Sequence, residues 1–294
     1  MPTSPTVQLV DRYPTRSAGS GSMRRTDPTV WGAPETPALA TFAHDGYAVF
    51  DALLSEAEVA TLSAEVTRLT EEPELRLDDR VIIEQSSNQV RSIFEVHKLS
   101  PLIAELTREN RIAGLAREVL GSEVYLHQTR VNYLPGFGAA GFYWHSDFET
   151  WHAEDGMPAP RAVSLSIALT DNFPYNGSLM VMPGSHRTFV GCAGATPTDH
   201  YRESLREQRI GVPTERELTR LAREHGIAQF TGPAGSALLF DSNIMHGSSN
   251  NITPFPRSNI FLVFNSVENE LVAPFAGPAP RPTYIASRDF TPLR

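Results

Sequence analysis

The residues of this chain best suited to chemistry stand in two widely separated clusters. The first is Phe142-Tyr143-Trp144-His145-Ser146-Asp147; the second runs from Phe240 to Ser248 and contains His246, with Arg257 on the stretch that follows. On a strand, His145 and Asp147 point to the same side, so an imidazole and a carboxylate can meet one metal ion. A His-x-Asp pair alone has little specificity and more often marks a hydrogen-bonded histidine near a strand end. Joined to His246 it becomes two histidines and a carboxylate, the set that holds Fe(II) on one face in non-haem oxygenases and leaves the opposite positions open. Oxygen chemistry needs those positions, two for a bidentate co-substrate and one for O2. The Arg257 guanidinium can then pair with the distal carboxylate of a dicarboxylic co-substrate; its alternative role is a surface salt bridge, worth little. Zinc on the same ligands is the weaker alternative, because the helical His-Glu-x-x-His signature of zinc hydrolases is absent.

These residues need a scaffold, and the hydrophobic pattern predicts one. From Val124 onward, short apolar runs alternate with Gly, Pro and Asn turns, which predicts an antiparallel β body. Its strands are expected at 124–133, 142–147, 162–169, 179–182, 236–240 and 258–265. Gln128, Arg130 and Asn132 fall on one face of the first, either lining a polar barrel interior or facing solvent. Two helical regions precede it. One starts at Ser55, whose pairing with Glu58 forms a capping box, and repeats Val59, Leu62, Val66 and Leu69 on one face. The other follows Ser100, has Pro101 in its first turn, and ends in Ile112, Leu115, Ala116 and Val119 before Gly121. Residues 201–225 read as a charged helical excursion. Residues 1–37 have no hydrophobic period and are expected to be a flexible or surface-draped arm without chemistry; residues 38–294 are expected to be a single domain.

Composition narrows the chemistry further. Of 294 residues, 40% are hydrophobic, enough for one sizeable core, and 34 acidic against 25 basic residues give a net charge of -9. That balance argues against a nucleic-acid partner. Cys192 is the single cysteine, which excludes an intrachain disulfide and a thiolate metal cluster and places any metal on His, Asp or Glu. Flanked by Gly191 and Ala193, it reads as a small buried residue. No apolar run reaches membrane-spanning length, and a cytoplasmic location is expected. His44, His97, His127, His152, His186, His200 and His225 lack a carboxylate at ligand spacing and read as surface or hydrogen-bonded core residues. Lys98 is the single lysine, so lysine is absent from almost every chemical role.

Longer motifs carry a family resemblance. They are His127-Gln128-Thr129-Arg130-Val131-Asn132, Phe142 through Met157 (FYWHSDFETWHAEDGM), Asn176-Gly177 with Met182-Pro183-Gly184-Ser185-His186, the run from Asn251 to Asn259, and Asn265 to Asn269. Together they resemble the ectoine hydroxylases, within the phytanoyl-CoA-hydroxylase-like group of Fe(II)/2-oxoglutarate dioxygenases, over a span from Tyr13 to the C-terminus. The resemblance implies a mainly β protein with flanking helices around a double-stranded β-helix, a cupin-like jelly roll. It also implies Fe(II) on His145, Asp147 and His246, with 2-oxoglutarate and O2 as co-substrates. Arg257, Asn132, Ser166 and Phe142 would hold 2-oxoglutarate, and Gln128, Trp151, Phe94 and Phe264 would contact ectoine. An aromatic face such as Trp151 suits the delocalised cation of ectoine; ordinary barrel packing is its weaker alternative. The activity implied is hydroxylation of ectoine, a compatible solute made in osmotic stress, by a homodimer.

One position departs from the family. Its members carry lysine just before the Pro-Gly-Phe turn, in contact with 2-oxoglutarate, whereas this chain has Leu134 ahead of Pro135-Gly136-Phe137. Either Arg257 and hydroxyl groups suffice, or Arg130 substitutes, or co-substrate affinity falls. Two rival functions stay open beside ectoine hydroxylation: hydroxylation of another small cyclic amino acid, and a jelly roll that binds a solute without chemistry.

Overall fold

The computed structural model describes residues 10–18, 20–84, 88–137, 140–205 and 210–294. Among the described residues the strands are β1 (Ser22–Arg24), β2 (Tyr47–Phe50), β3 (Val81–Ile83), β4 (Val90–Phe94), β5 (Val124–Leu134), β6 (Phe142–His145), β7 (Ala162–Ala168), β8 (Leu179–Val181), β9 (Thr188–Val190), β10 (Ala228–Gln229), β11 (Ala237–Asp241), β12 (His246–Ser248) and β13 (Arg257–Ser266). The helices are α1 (Phe42–Asp45), α2 (Glu56–Glu71), α3 (Val96–Leu99), α4 (Pro101–Arg108), α5 (Leu115–Leu120), α6 (Asp147–Thr150), α7 (Tyr201–Ser204) and α8 (Glu215–His225). Seven strands form one sheet in the order β2-β11-β7-β13-β5-β4-β3, and four form the facing sheet, β10-β8-β12-β6. All named pairings are antiparallel. Two facing sheets with this order make the cupin-like jelly roll.

Alternation along the strands divides the core in two. On β13, Ile260, Leu262 and Phe264 face outward with Val163, Leu165 and Ile167 of β7, and they meet Leu62, Val66 and Leu69 of α2, Ile103 and Leu106 of α4, and Ala116 and Val119 of α5. Phe261 faces inward and packs with Leu179, Val181, Leu238, Phe240 and Ile244. The helices thus buttress one sheet and leave the space between the sheets for a site. The Ser55 hydroxyl accepts from the Glu58 backbone while the Glu58 carboxylate accepts from the Ser55 backbone, so the capping box starts α2 as expected; such a cap contributes about 1 kcal/mol.

One local expectation is corrected. The strand expected over 142–147 ends at His145, and Asp147 opens α6, followed by a wider helical turn over Trp151–Asp155. The helical excursion over 201–225 contains α7 and α8, with residues 206–209 outside the described set. The N-terminal arm makes specific contacts where it is described; residues 1–9 and 19 lie outside. Tyr13 is fully buried against Phe148 and Phe189, β1 pairs with β9, and Arg25 forms a buried ion pair with Asp241 at 2.7 Å. Single anchors hold this segment, and such anchoring leaves no period to detect. No helix among the described residues is long and apolar enough to cross a membrane.

Candidate active site

His145 and His246 stand directly opposite each other in paired strands β6 and β12, so both imidazoles leave the same face. Their ring centroids are 4.3 Å apart. The chain turns at Ser146, the Phe148 backbone N–H donates to the Ser242 carbonyl at 2.8 Å, and Asp147 is carried beside both rings. Its Oδ1 lies 3.6 Å from His145 Nε2 and 3.8 Å from His246 Nε2. One ion bonded at about 2.0–2.2 Å to each atom spans such separations. The Nδ1 atoms face carbonyls, Tyr143 for His145 at 2.7 Å and Ile244 for His246 at 3.0 Å. A carbonyl can only accept, so each ring carries its proton on Nδ1 and turns the Nε2 lone pair inward. The Ser164 hydroxyl donates to Asp147 Oδ2 at 3.3 Å, leaving Oδ1 toward the rings.

The electrostatics match a metal cluster. Burial pushes the Asp147 carboxyl up, but His246, His145 and Arg130 outweigh it and hold the group well below the usual carboxylate range. Burial, reinforced by His145, lowers His246 to about 4. A carboxylate and a neutral imidazole are the forms a metal takes. Among the described residues this is the one cluster of three such groups able to share an ion.

The cluster sits in a cleft of about 800 Å³, its open mouth included, between the two sheets. Gln128, Arg130 and Asn132 all line it, so their face is the barrel interior. The order along β5 gives the cleft two ends. At one, Asn132 is followed by Leu134, which lies opposite Arg257 in the ladder. Arg257 lines the cleft, is 3% exposed, and donates through Nη1 to the Gly177 carbonyl. Its Nε has no hydrogen-bond partner, nor has the Arg130 Nε. Burial, with Arg91 and Arg130 adding repulsion, lowers the Arg257 pKa to about 10. Buried guanidinium donors without partners are costly unless an anion meets them, so this end fits a carboxylate-bearing co-substrate. At the other end, Gln128 Nε2 donates to the Ile285 carbonyl at 2.7 Å, and Trp151, Phe94 and Arg281 line the wall.

Phe142, Asn132, Arg257, Gln128, Trp151 and Phe94 therefore meet around the metal cluster as expected. Three other positions do not reach the cleft. Phe264 belongs to the outward face of β13 and the helical core; two-residue alternation puts Phe261 in the cleft instead. Ser166 shares the inward face of β7 with Ser164 but is covered by Asn259, whose Nδ2 donates to it at 3.0 Å. Leu134 is buried against the backbone at Gly177, where an added Cβ would come within 2.5 Å of its Cδ2. Arg281 went unnoticed in the sequence, because an arginine between Pro280 and Pro282 looks like a surface loop and no spacing links it to the other residues. His127 is buried and meets the Trp151 ring edge at 4.9 Å. Cys192 is buried, and burial raises its thiol pKa, so it is inert.

A jelly roll holding two histidines and a carboxylate beside buried arginines whose Nε atoms lack partners defines a metal- and 2-oxoglutarate-dependent dioxygenase. Residues 42–259 match the family described as phytanoyl-CoA dioxygenase (PhyH), and the chain belongs to that family. It is 70% identical over 288 residues to an ectoine dioxygenase of Nocardia farcinica, covering 98% of this chain and 97% of that one. It is 56% identical over 292 residues to an ectoine dioxygenase of Streptomyces avermitilis, covering 97% and 99%. The crystal structure of EctD from S. alaskensis with 2-oxoglutarate and 5-hydroxyectoine superposes with a TM-score of 0.85 at 46% identity, over 95% of each chain. The same protein with bound Fe gives 0.86 at 45% identity, over 97% of this chain and 98% of that one.

Proposed function

We propose that this protein is an ectoine 5-hydroxylase, converting ectoine, 2-oxoglutarate and O2 to 5-hydroxyectoine, succinate and CO2. The observation that carries the reading is one cleft with a metal cluster at its centre and two chemically different ends. His145, Asp147 and His246 hold Fe(II), which when bound couples decarboxylation of 2-oxoglutarate to oxygen insertion into a C–H bond. Arg257 binds the distal carboxylate of 2-oxoglutarate, beside Asn132 and Phe142. Arg130 lies between the two ends of β5, and burial lowers its pKa although the Asp147 charge opposes this. Its Nε has no hydrogen-bond partner, and it makes up in part for the positive charge that Leu134 lacks.

Ectoine is a zwitterion with a delocalised amidinium and a carboxylate. The Trp151 face attracts the cation, and Gln128 lines the cleft with its amide nitrogen bonded to the Ile285 carbonyl, which leaves its amide oxygen as the acceptor for substrate. Arg281 offers its guanidinium to the substrate carboxylate. Phe94, Phe142 and Phe261 line the walls and exclude water around the reacting bond. The contribution of the chain is orientation of one C–H bond toward the metal. The lone buried cysteine and acidic balance support a cytoplasmic location, and the family resemblance supports a homodimer.

The test is succinate formation with ectoine against a panel of cyclic amino acids, including proline. Ectoine is expected to be turned over fastest. Faster turnover of another ring would replace the substrate, and metal binding with no succinate from any of them would leave a solute-binding jelly roll.

A further inference from the structure

Helix α6 and the turn after it carry more charge than the metal needs. Asp147 joins the metal cluster and Trp151 lines the cleft. Glu149, Glu154 and Asp155 are also buried, yet none of the three is in the metal cluster. Their counter-charges come from opposite ends of the chain. Arg16 donates from Nε to Glu149 Oε1 at 2.7 Å and from Nη2 to Glu149 Oε2 at 2.9 Å, a bidentate pair with both side chains 1% exposed. The same Nη2 lies 3.2 Å from Glu154 Oε1. Arg281 donates from Nε and Nη2 to the two Asp155 oxygens at 2.8 and 2.5 Å, and its Nε is 4.0 Å from Glu154 Oε2. Glu154 therefore stands between Arg16 and Arg281, which lines the cleft.

Several further features keep Arg16 in place. Its backbone N–H donates to the Cys192 carbonyl at 2.7 Å, its Nη1 to Thr196 Oγ1 at 3.1 Å, and the Thr15 hydroxyl to Glu149 Oε1 at 2.5 Å. The residue adopts φ 59°, a left-handed conformation uncommon outside glycine and asparagine. A Cβ at Gly211 would come within 2.4 Å of Arg16 Nη2 and 2.8 Å of Glu149 Oε2, so glycine there leaves room for the pair. The N-terminal segment has other anchors beside this arrangement, Tyr13 in an apolar pocket and β1 paired with β9. What the ion pairs add is direction: they fix the azimuth of the helical segment that carries Trp151 and the carboxylate neighbouring Arg281.

We propose that Arg16 is a positioning residue for the substrate half of the cleft, acting through Glu149 on Trp151 and through Glu154 on Arg281. The assignment rests on the functional reading above in naming ectoine as the ligand. Its consequence is unequal between the two ends of the cleft, because the co-substrate end is reached only through Asp147 at the start of α6. The co-substrate end is lined by Arg257, Asn132 and Ser92, and none of these is hydrogen-bonded or ion-paired to Arg16, Glu149 or Glu154. Loss of Arg16 should therefore loosen substrate binding much more than 2-oxoglutarate binding.

The experiment compares Arg16→Met and Arg16→Lys with the unsubstituted full chain. KM is measured separately for ectoine and for 2-oxoglutarate, and the Kd of ectoine is measured by calorimetry on nickel-substituted protein, which binds without turnover. Outer positioning groups typically shift such values about 10–100-fold. The expected result for Arg16→Met is an ectoine KM and Kd raised about tenfold with the 2-oxoglutarate KM within about twofold of native. Arg16→Lys, which keeps the charge and one contact, falls between and carries the test if the methionine variant does not fold. A proportional rise of both KM values, the mark of a merely structural role, overturns the proposal, as does an unchanged ectoine Kd. An unsubstituted protein that neither binds nor turns over ectoine overturns the functional reading, and with it the ligand named here; native ectoine turnover with unshifted variants overturns the positioning role alone.

Discussion

Arg257 and Leu134 face each other across the β5–β13 ladder, so the guanidinium that closes one end of the cleft has an apolar neighbour on its own face of the sheet. A lysine at position 134 would bring an ammonium group to this end beside the Arg257 guanidinium. Without it, the other arginine lining the cleft, from β5, is Arg130, further along the strand.

The first prediction follows from that pairing. Leu134→Lys should lower the 2-oxoglutarate KM about tenfold, the worth of one charge-assisted contact of roughly 1.4 kcal/mol. Initial rates at saturating ectoine measure it, and an unchanged KM would show that Arg257 and Arg130 already satisfy the co-substrate.

The second concerns the metal cluster. Loss of an outer-shell partner of a metal ligand costs about 10–100-fold in affinity or activity, so His145→Ala should cost at least that and abolish iron-dependent turnover. Titration calorimetry with Fe(II) under anaerobic conditions reads the affinity directly. Near-native hydroxyectoine formation by this variant would sink the ligand assignment.

The third is a pH dependence of stability. Burial lowers the His127 pKa to about 4, opposed by the Asp155 charge and assisted by that of Arg281; the unfolded chain takes its proton near about 6.5. The stabilisation is complete above that value and is lost as pH falls toward 4, because the unfolded state binds the proton first. At about pH 4.5 this one group should have removed roughly 2–3 kcal/mol. His127→Phe keeps a ring against Trp151 but cannot titrate. Urea unfolding near pH 7 and pH 4.5 should show a smaller loss for the variant, and equal losses would mean that His127 is already protonated in the folded protein or reaches water.

The residues differ in how much of this was legible beforehand. His145, Asp147 and His246 are found by type and spacing, yet the local reason differs from simple alternation: β6 stops at His145 and Asp147 reaches the cluster by opening a helix. A two-residue period cannot reveal that break, because both geometries suit the same three side chains. Gln128, Arg130 and Asn132 were correctly placed on one face, but which side that face took depended on the second sheet. Phe264 illustrates the opposite failure, an aromatic residue on a strand that bounds the site but on its outward face. Arg16 and Arg281 carried no pattern at all. Each lies in a segment without a hydrophobic period, and only the folded chain brings them to the carboxylates of α6 and its following turn. The helices, by contrast, were legible where local chemistry suffices, as in the reciprocal bonds of Ser55 and Glu58.

The central claim is that this cleft inserts one oxygen atom into ectoine. The most direct measurement is mass spectrometry of the product formed under ¹⁸O2, with Fe(II), 2-oxoglutarate and ectoine supplied together and then omitted one at a time. The predicted result is a product heavier than ectoine by one labelled oxygen, formed with succinate and lost when any one of the three is left out. Succinate formed without a heavier product, or a heavier product that does not require 2-oxoglutarate, would contradict it.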